Sequence, residues 1–339
     1  MIRVQRKLVS IQTINALEPI AGADHIEAAR VMGWTVVVKR GEFAVGDLCL
    51  FFEIDSVLPD GPAWSEFMRP RGFRVRTIRL RGVLSQGLAL PVFPVSAADG
   101  QPTLTTSPDV DLAKLLGVTK FEPVVPDARD IAGPFPAMVP KTDEIRLQSA
   151  LGVLSELRGL PFYVSVKLDG ESVTYANLED GLVAASRNWA VKLGGKIGQI
   201  AERYRLAEKI PSYFAIQGEL CGPGIRNNRL GLGDVDFFVF SVYDVRSASY
   251  LSFSEFISFC ADRDLATVPI ERIVRGDEAA GFDHDLAYWL EAARGLYAGT
   301  KQRREGIVVR PLTERRSATL GGRLSFKVIN NDFLLKDEE

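Results

Sequence analysis

Residues 162–178 read FYVSVKLDGESVTYANL, two alternating apolar–polar runs with Lys167, Leu168, Asp169 and Gly170 between them. A period of two is the pattern of half-buried strands, and Asp-Gly between such runs is a hairpin signal. The stretch therefore predicts a hairpin with a lysine at the end of its first strand. Taken alone, Lys-x-Asp-Gly is a weak motif. Its weight comes from what surrounds it.

Downstream, 194–209 reads as a helix, 213–221 and 236–246 as strands, 254–264 and 284–298 as helices, and 305–311 and 323–329 as closing strands. That is an α+β pattern dominated by antiparallel sheet. Upstream, TDEIRLQSALGVLSELRG (142–159) reads as a helix with Thr142 as its cap. Residues 121–140 hold five prolines and read as a stiff linker. Residues 93–120 are rich in Ser, Thr, Pro and Asp, with one short helical piece, DLAKLLG. In 1–92, the stretches 34–40, 48–54, 73–80 and 88–92 read as strands, which suggests a small barrel. The predicted domains are 1–120, a linker over 121–140, and 141–339.

The 339 residues suit about two domains, and 46% hydrophobic content is enough for a core. No run of 18 apolar residues is present, and the N-terminal residues lack the apolar centre of a secretory signal. Cys49, Cys221 and Cys260 have neither metal spacing nor a disulfide framework, so a cytoplasmic location is expected. His25 and His284 are the only histidines, which disfavours histidine acid–base chemistry. A net charge of −2 does not point to nucleic acid, yet RPRGFRVRTIRLR (69–81) holds six arginines and no acid. As one strand it would place Arg74 and Arg76 on one face and Arg79 and Arg81 on the other, able to track phosphates. Few aromatics for base stacking lie there, which favours a duplex backbone over a single strand.

After Lys167 come, in order, Arg187 in LVAASRNWAV, Glu219 in FAIQGELCGPGIRNN, the aromatic run DFFVF with Phe240, Glu305 and Arg310 in REGIVVRP, and Lys327 in LSFKVIN. This series resembles the covalent nucleotidyltransferase superfamily of ATP-dependent ligases and mRNA capping enzymes. GELCGPGI is similar to the phage T4 RNA ligase 2 group. GWTVVVKRGEFAVGD, DSVLP and VPKTDEIRLQ resemble the Deinococcus-type RNA ligases over nearly the whole chain.

The resemblance implies an N-terminal oligonucleotide-binding (OB) type β-barrel and a C-terminal nucleotidyltransferase domain of ATP-grasp-like antiparallel sheets with helices. It implies an ATP-dependent RNA ligase sealing 3′-hydroxyl/5′-phosphate nicks in duplex RNA or RNA/DNA hybrids, using Mg²⁺ or Mn²⁺. A monomer is expected, although the oligomeric state is not written in the sequence. Lys167 would be the AMP-linked nucleophile, with Val166, Asp169 and Gly170 around it. Arg187 and Glu219 would bind ribose and Phe240 would stack on adenine. Glu305 would hold the metal, and Arg310 and Lys327 would supply positive charge, Lys327 at the α-phosphate. A free lysine titrates at about 10.4, so roughly one in 2,500 is neutral at pH 7 and the nucleophile needs activation.

Two positions depart from the phage pattern: Ile329 stands where a second lysine is usual, and Ser241 where an aspartate often ends the aromatic strand. Taken singly, Phe240 reads as packing and Lys327 as an edge-strand lysine; the order of motifs reverses both. DNA ligases and capping enzymes usually carry a barrel after the last lysine motif, whereas 12 residues follow Lys327 here, which favours an RNA ligase. The other class that fits is a non-catalytic RNA-binding protein on a transferase fold.

Overall fold

The computed structural model describes residues 6–92, 110–121 and 127–335. Most of the Ser/Thr/Pro/Asp-rich stretch, 93–109, and the linker residues 122–126 lie outside them.

The N-terminal part is a curled five-stranded antiparallel sheet, ordered Trp34–Lys39, Ile26–Val31, Val9–Pro19, Leu48–Phe52, Leu88–Pro91. Val9–Pro19 is central and bends at a register shift between Ile14 and Ala16. Its first half pairs with Leu48–Phe52 and its second with Ile26–Val31. Cys49, Leu50, Phe51 and Phe52 are all buried, because the curl encloses one face and Trp64, stacked on Phe52, covers the other. DLAKLLG forms a single turn, closed by Leu116 N–H donating to the Leu112 carbonyl, rather than a helix.

The arginine run is not one strand. Gly72 and Phe73 take left-handed backbone, Arg74 makes an isolated bridge to Val57, and a strand resumes only at Thr77–Leu80. Arg81 and Gly82 are both left-handed and turn the chain into Val83–Gln86, the geometry of a two-residue hairpin.

The C-terminal part has two sheets. One runs Ile131–Pro134, Trp189–Val191, Gly181–Ala185, Glu171–Leu178, Phe214–Cys221, Asp236–Asp244, Ser249–Tyr250. Its first strand lies inside the stretch read as a linker and pairs with Trp189–Val191. The other runs Ile145–Arg146, Phe326–Ile329, Gly306–Pro311, Phe162–Lys167, Ile270–Val274.

The predicted hairpin at 162–178 is absent. Phe162–Lys167 is paired on both edges within the second sheet, and Glu171–Leu178 on both edges within the first. Neither Asp169 nor Gly170 takes the left-handed backbone that a two-residue hairpin turn needs. The chain instead crosses between sheets over Leu168–Gly170. Gly170 is required by close approach: a Cβ there would run into the Leu220 carbonyl and come 2.8 Å from Cys221 Sγ.

The predicted helix over 142–159 is also largely absent. Only Val153–Leu157 is α-helical. Ile145–Arg146 pairs in parallel with Phe326–Lys327, and Thr142 meets Ser172 Oγ at 2.8 Å instead of capping a helix. The barrel docks on this segment. Gly33 N–H donates to the Gln148 carbonyl at 2.9 Å, and Ser149 Oγ donates to Glu53 Oε1 at 2.6 Å. Glu53 also pairs with Arg6 at 2.6 Å.

Candidate active site

A cleft of about 690 Å³ opens where the two sheets and the barrel meet. All ten nucleotide-site residues named from the sequence line it, and so does Arg74. Lys167 ends its strand at the crossing, and its Nζ donates to Glu305 Oε2 at 2.7 Å. Glu305 immediately precedes the strand that pairs with the lysine strand, Lys167 opposite Gly306. Antiparallel register thus brings together residues 138 positions apart.

Burial and charge compete across this cleft. Burial pulls the Lys167 amine down, but the carboxylates of Glu305 and Glu219, the hydrogen bond the amine donates to Glu305 and the charge of Asp169 outweigh it and hold it up. Glu219 is pushed up to about 7 by burial, against the pull of Lys167. Its Oε1 accepts from Gly170 N–H at 3.1 Å. Lys327 is brought down to about 7 by burial, helped by the nearby cations Lys167 and Arg146. Asp169 is raised by burial and by Glu305, although Arg229 Nε donates to it at 2.9 Å.

The remaining expected residues have defined partners. Arg187 is ion-paired with Asp143, whose carboxyl stays low despite burial because of Arg187, Lys327 and Lys120. Arg310 is buried and donates to Glu144 Oε1 at 2.9 Å, Ser325 Oγ at 2.9 Å and the Phe240 carbonyl at 3.1 Å. It therefore braces the aromatic strand. Phe240 faces both the main cleft and a smaller cavity of about 100 Å³ beside Gln217 and Ser241. Ser241 Oγ accepts from Arg323 at 2.8 Å. Val166 lies on the cleft wall, its N–H donating to the Pro269 carbonyl.

The basic run divides. Arg74 pairs with Asp55 at 2.7 Å and stacks over Phe121 at 3.6 Å on the cleft side. Arg76, Arg79 and Arg81 are exposed and outside the cleft lining.

Sequence reasoning missed Asp143, Glu144, Arg146, Arg229 and Tyr297. The first three lie in VPKTDEIRLQ, a stretch with a recognisable signal but no assigned roles. Arg229 and Tyr297 come from loops without a local pattern. Among the described residues, no group of three or more His, Cys, Asp or Glu side chains could by itself hold a metal. A hard divalent cation can be held by one carboxylate together with substrate phosphate and water, so the oxygen donors beside Lys167 fit such an ion.

Comparisons with known proteins agree with this architecture. An RNA ligase family model matches residues 160–329, and an OB-fold domain model matches residues 8–92. A mutant of Naegleria gruberi RNA ligase, solved with ATP and Mn, is 33% identical with a TM-score of 0.85, over 98% of this chain and 99% of that chain. The same RNA ligase with PPi gives the same identity, coverage and TM-score. So does a mutant of it with AMP and Mn. A search of the curated proteins finds no match. Full-length similarity at this identity, on a fold that gathers the motif residues into one cleft, establishes that the chain belongs to the RNA ligase family.

Proposed function

We propose that the protein is an ATP-dependent RNA ligase that seals 3′-hydroxyl/5′-phosphate nicks in duplex RNA or RNA/DNA hybrids through a lysyl-AMP intermediate. The observation that carries this reading is the amine of Lys167 against Glu305, with Lys327 on the same wall of a nucleotide-sized cleft. Once deprotonated, the Lys167 amine attacks the α-phosphorus of ATP. A P–N bond forms, the bond to the bridging oxygen breaks and pyrophosphate leaves. An oxygen of the RNA 5′-phosphate then displaces the lysine, transferring AMP to the RNA end. Finally the 3′-hydroxyl attacks that 5′-phosphorus and AMP departs.

Residue types suit these roles. Phe240 offers a flat face to adenine. Glu219, raised toward neutrality, can both donate to and accept from ribose hydroxyls, with Arg187 alongside. Lys327 stabilises charge on the transferring phosphate. A divalent cation at Glu305 would neutralise phosphate charge and favour the deprotonated amine. Arg310 acts one step back, by holding the backbone of Phe240. Arg76, Arg79 and Arg81 contact the duplex backbone from the barrel, and one protomer suffices.

Intact mass after incubation with ATP and Mg²⁺ tests the chemistry. One added AMP is expected on the wild type and none on Lys167→Ala, with the adduct discharged by a nicked RNA duplex. A wild type that neither gains AMP nor loses a preformed adduct to pyrophosphate would sink the ligase reading.

A further inference from the structure

We propose that Tyr297 is a positioning residue that sets the spacing between Lys167 and Glu305 from beneath the cleft. Its hydroxyl donates to the Lys167 carbonyl at 3.1 Å and accepts from Glu305 N–H at 3.1 Å. Tyr297 does not line the cleft, so it touches neither nucleotide nor reacting atoms. The bridge is a geometric observation; its consequence for catalysis rests on the ligase reading.

The ladder between the lysine strand and its partner runs from Phe162–Pro311 to Lys167–Gly306 and ends there. The next rung of that register would pair Leu168 with Glu305, and it is not formed. The Tyr297 hydroxyl stands there instead, joining the Lys167 carbonyl to the Glu305 N–H through two hydrogen bonds. The Lys167 and Glu305 side chains enter the cleft at the end of this ladder and meet at 2.7 Å. Gly306 forms the last pair with a φ of +154°, where a Cβ would run into the Val328 carbonyl.

The hydroxyl itself is fixed. The Tyr297 ring is buried against Leu168, Cys221 and Val268. Its N–H donates to the Gln302 carbonyl at 2.9 Å, and its carbonyl accepts from Thr300 N–H and Oγ1 at 3.1 and 3.0 Å. Removing only the hydroxyl takes a partner from the Lys167 carbonyl and from the Glu305 and Asp169 N–H groups, which then find new partners or remain unpaired. Either outcome moves the amine relative to the carboxylate.

Tyr297→Phe tests this. Single-turnover adenylylation at saturating ATP should fall roughly tenfold, the scale of one displaced polar contact. The ATP concentration giving half-maximal rate should stay within about twofold, since nucleotide contacts are untouched. Sealing of a pre-adenylylated nicked RNA duplex, which bypasses the lysine amine, should also stay within about twofold. In nucleotide-free protein, the Glu305 amide should exchange its hydrogen faster than in the wild type. Equal slowing of adenylylation and sealing would mean general loosening and overturn the proposal, as would an unchanged adenylylation rate. If the wild type forms no adenylate, the ligase reading falls, while exchange at Glu305 still decides whether the bridge exists.

Discussion

Two groups in the cleft are poised in mid-range by opposite routes: Lys327 is brought down to about 7 and Glu219 pushed up to about 7, both chiefly by burial. At pH 8 the free protein therefore holds Lys327 largely neutral. Triphosphate beside it restores the charge, because an anion favours the protonated amine. Nucleotide binding at pH 8 should then take up a proton. Calorimetry in buffers of different ionisation enthalpy should show a buffer-dependent binding heat, and Lys327→Met should lose the lysine's share of it. A wild type with no buffer dependence would refute the assignment. Stability has the matching sign. Between about pH 7 and the ordinary lysine value of 10.5 the unfolded chain holds a proton at this position that the folded chain lacks. The Lys327 contribution to stability thus rises with pH across that window.

At the level of strands and turns, the Leu168–Gly170 crossing carries a sharp constraint. Gly170→Ala pushes a methyl group into the Leu220 carbonyl and toward Cys221 Sγ. It should lower stability by about 3 kcal/mol, the upper end of overpacking. Gly194→Ala, where nothing lies within 4 Å, should change stability by no more than about 0.5 kcal/mol. Urea midpoints with unchanged slopes measure both, and equal midpoints would show that the crossing tolerates a side chain.

Alternation made most strands of the C-terminal part legible, because each has a core face and a cleft or solvent face. It failed for Val9–Pro19, where the shift at Ile14 and Ala16 breaks the period. The hairpin reading failed because local turn chemistry cannot show which edges distant strands already occupy. The helix reading of 142–159 failed for the same reason: Asp143, Glu144 and Arg146 are engaged by Arg187, Arg310 and the closing strand. The residues given nucleotide contacts in the proposed mechanism were named from their ordered resemblance to the nucleotidyltransferases, and folding lines all of them along one cleft. Tyr297 was not, because its role depends on a carbonyl and an N–H brought together only by folding.

For the whole molecule, the barrel is part of the cleft as well as an appendage to it. Arg6, Asp55 and Arg74 line the cleft from the barrel side, while Arg76, Arg79 and Arg81 face outward. One domain thus presents charge both toward the nucleotide and toward solvent. If the outward three meet a duplex backbone, replacing all three with alanine should weaken nicked-duplex binding. It should also flatten the dependence of log affinity on log salt by about one unit per arginine. Adenylylation without RNA should be unaffected. An unchanged salt slope would move the duplex to another face. No helix among the described residues is long and apolar enough to cross a membrane.

The crossing at Leu168–Gly170 has a mechanical consequence. Three residues with no slack tie the sheet that carries Glu305 to the sheet that carries Glu219 and Phe240. The same two sheets are fastened again where Arg310 donates to the Phe240 carbonyl and where Val239 bridges Thr267. Lys167 ends its strand at the covalent one of these fastenings. The amine therefore stands on a seam and not on a free edge, with its backbone tied to both walls of the cleft at once.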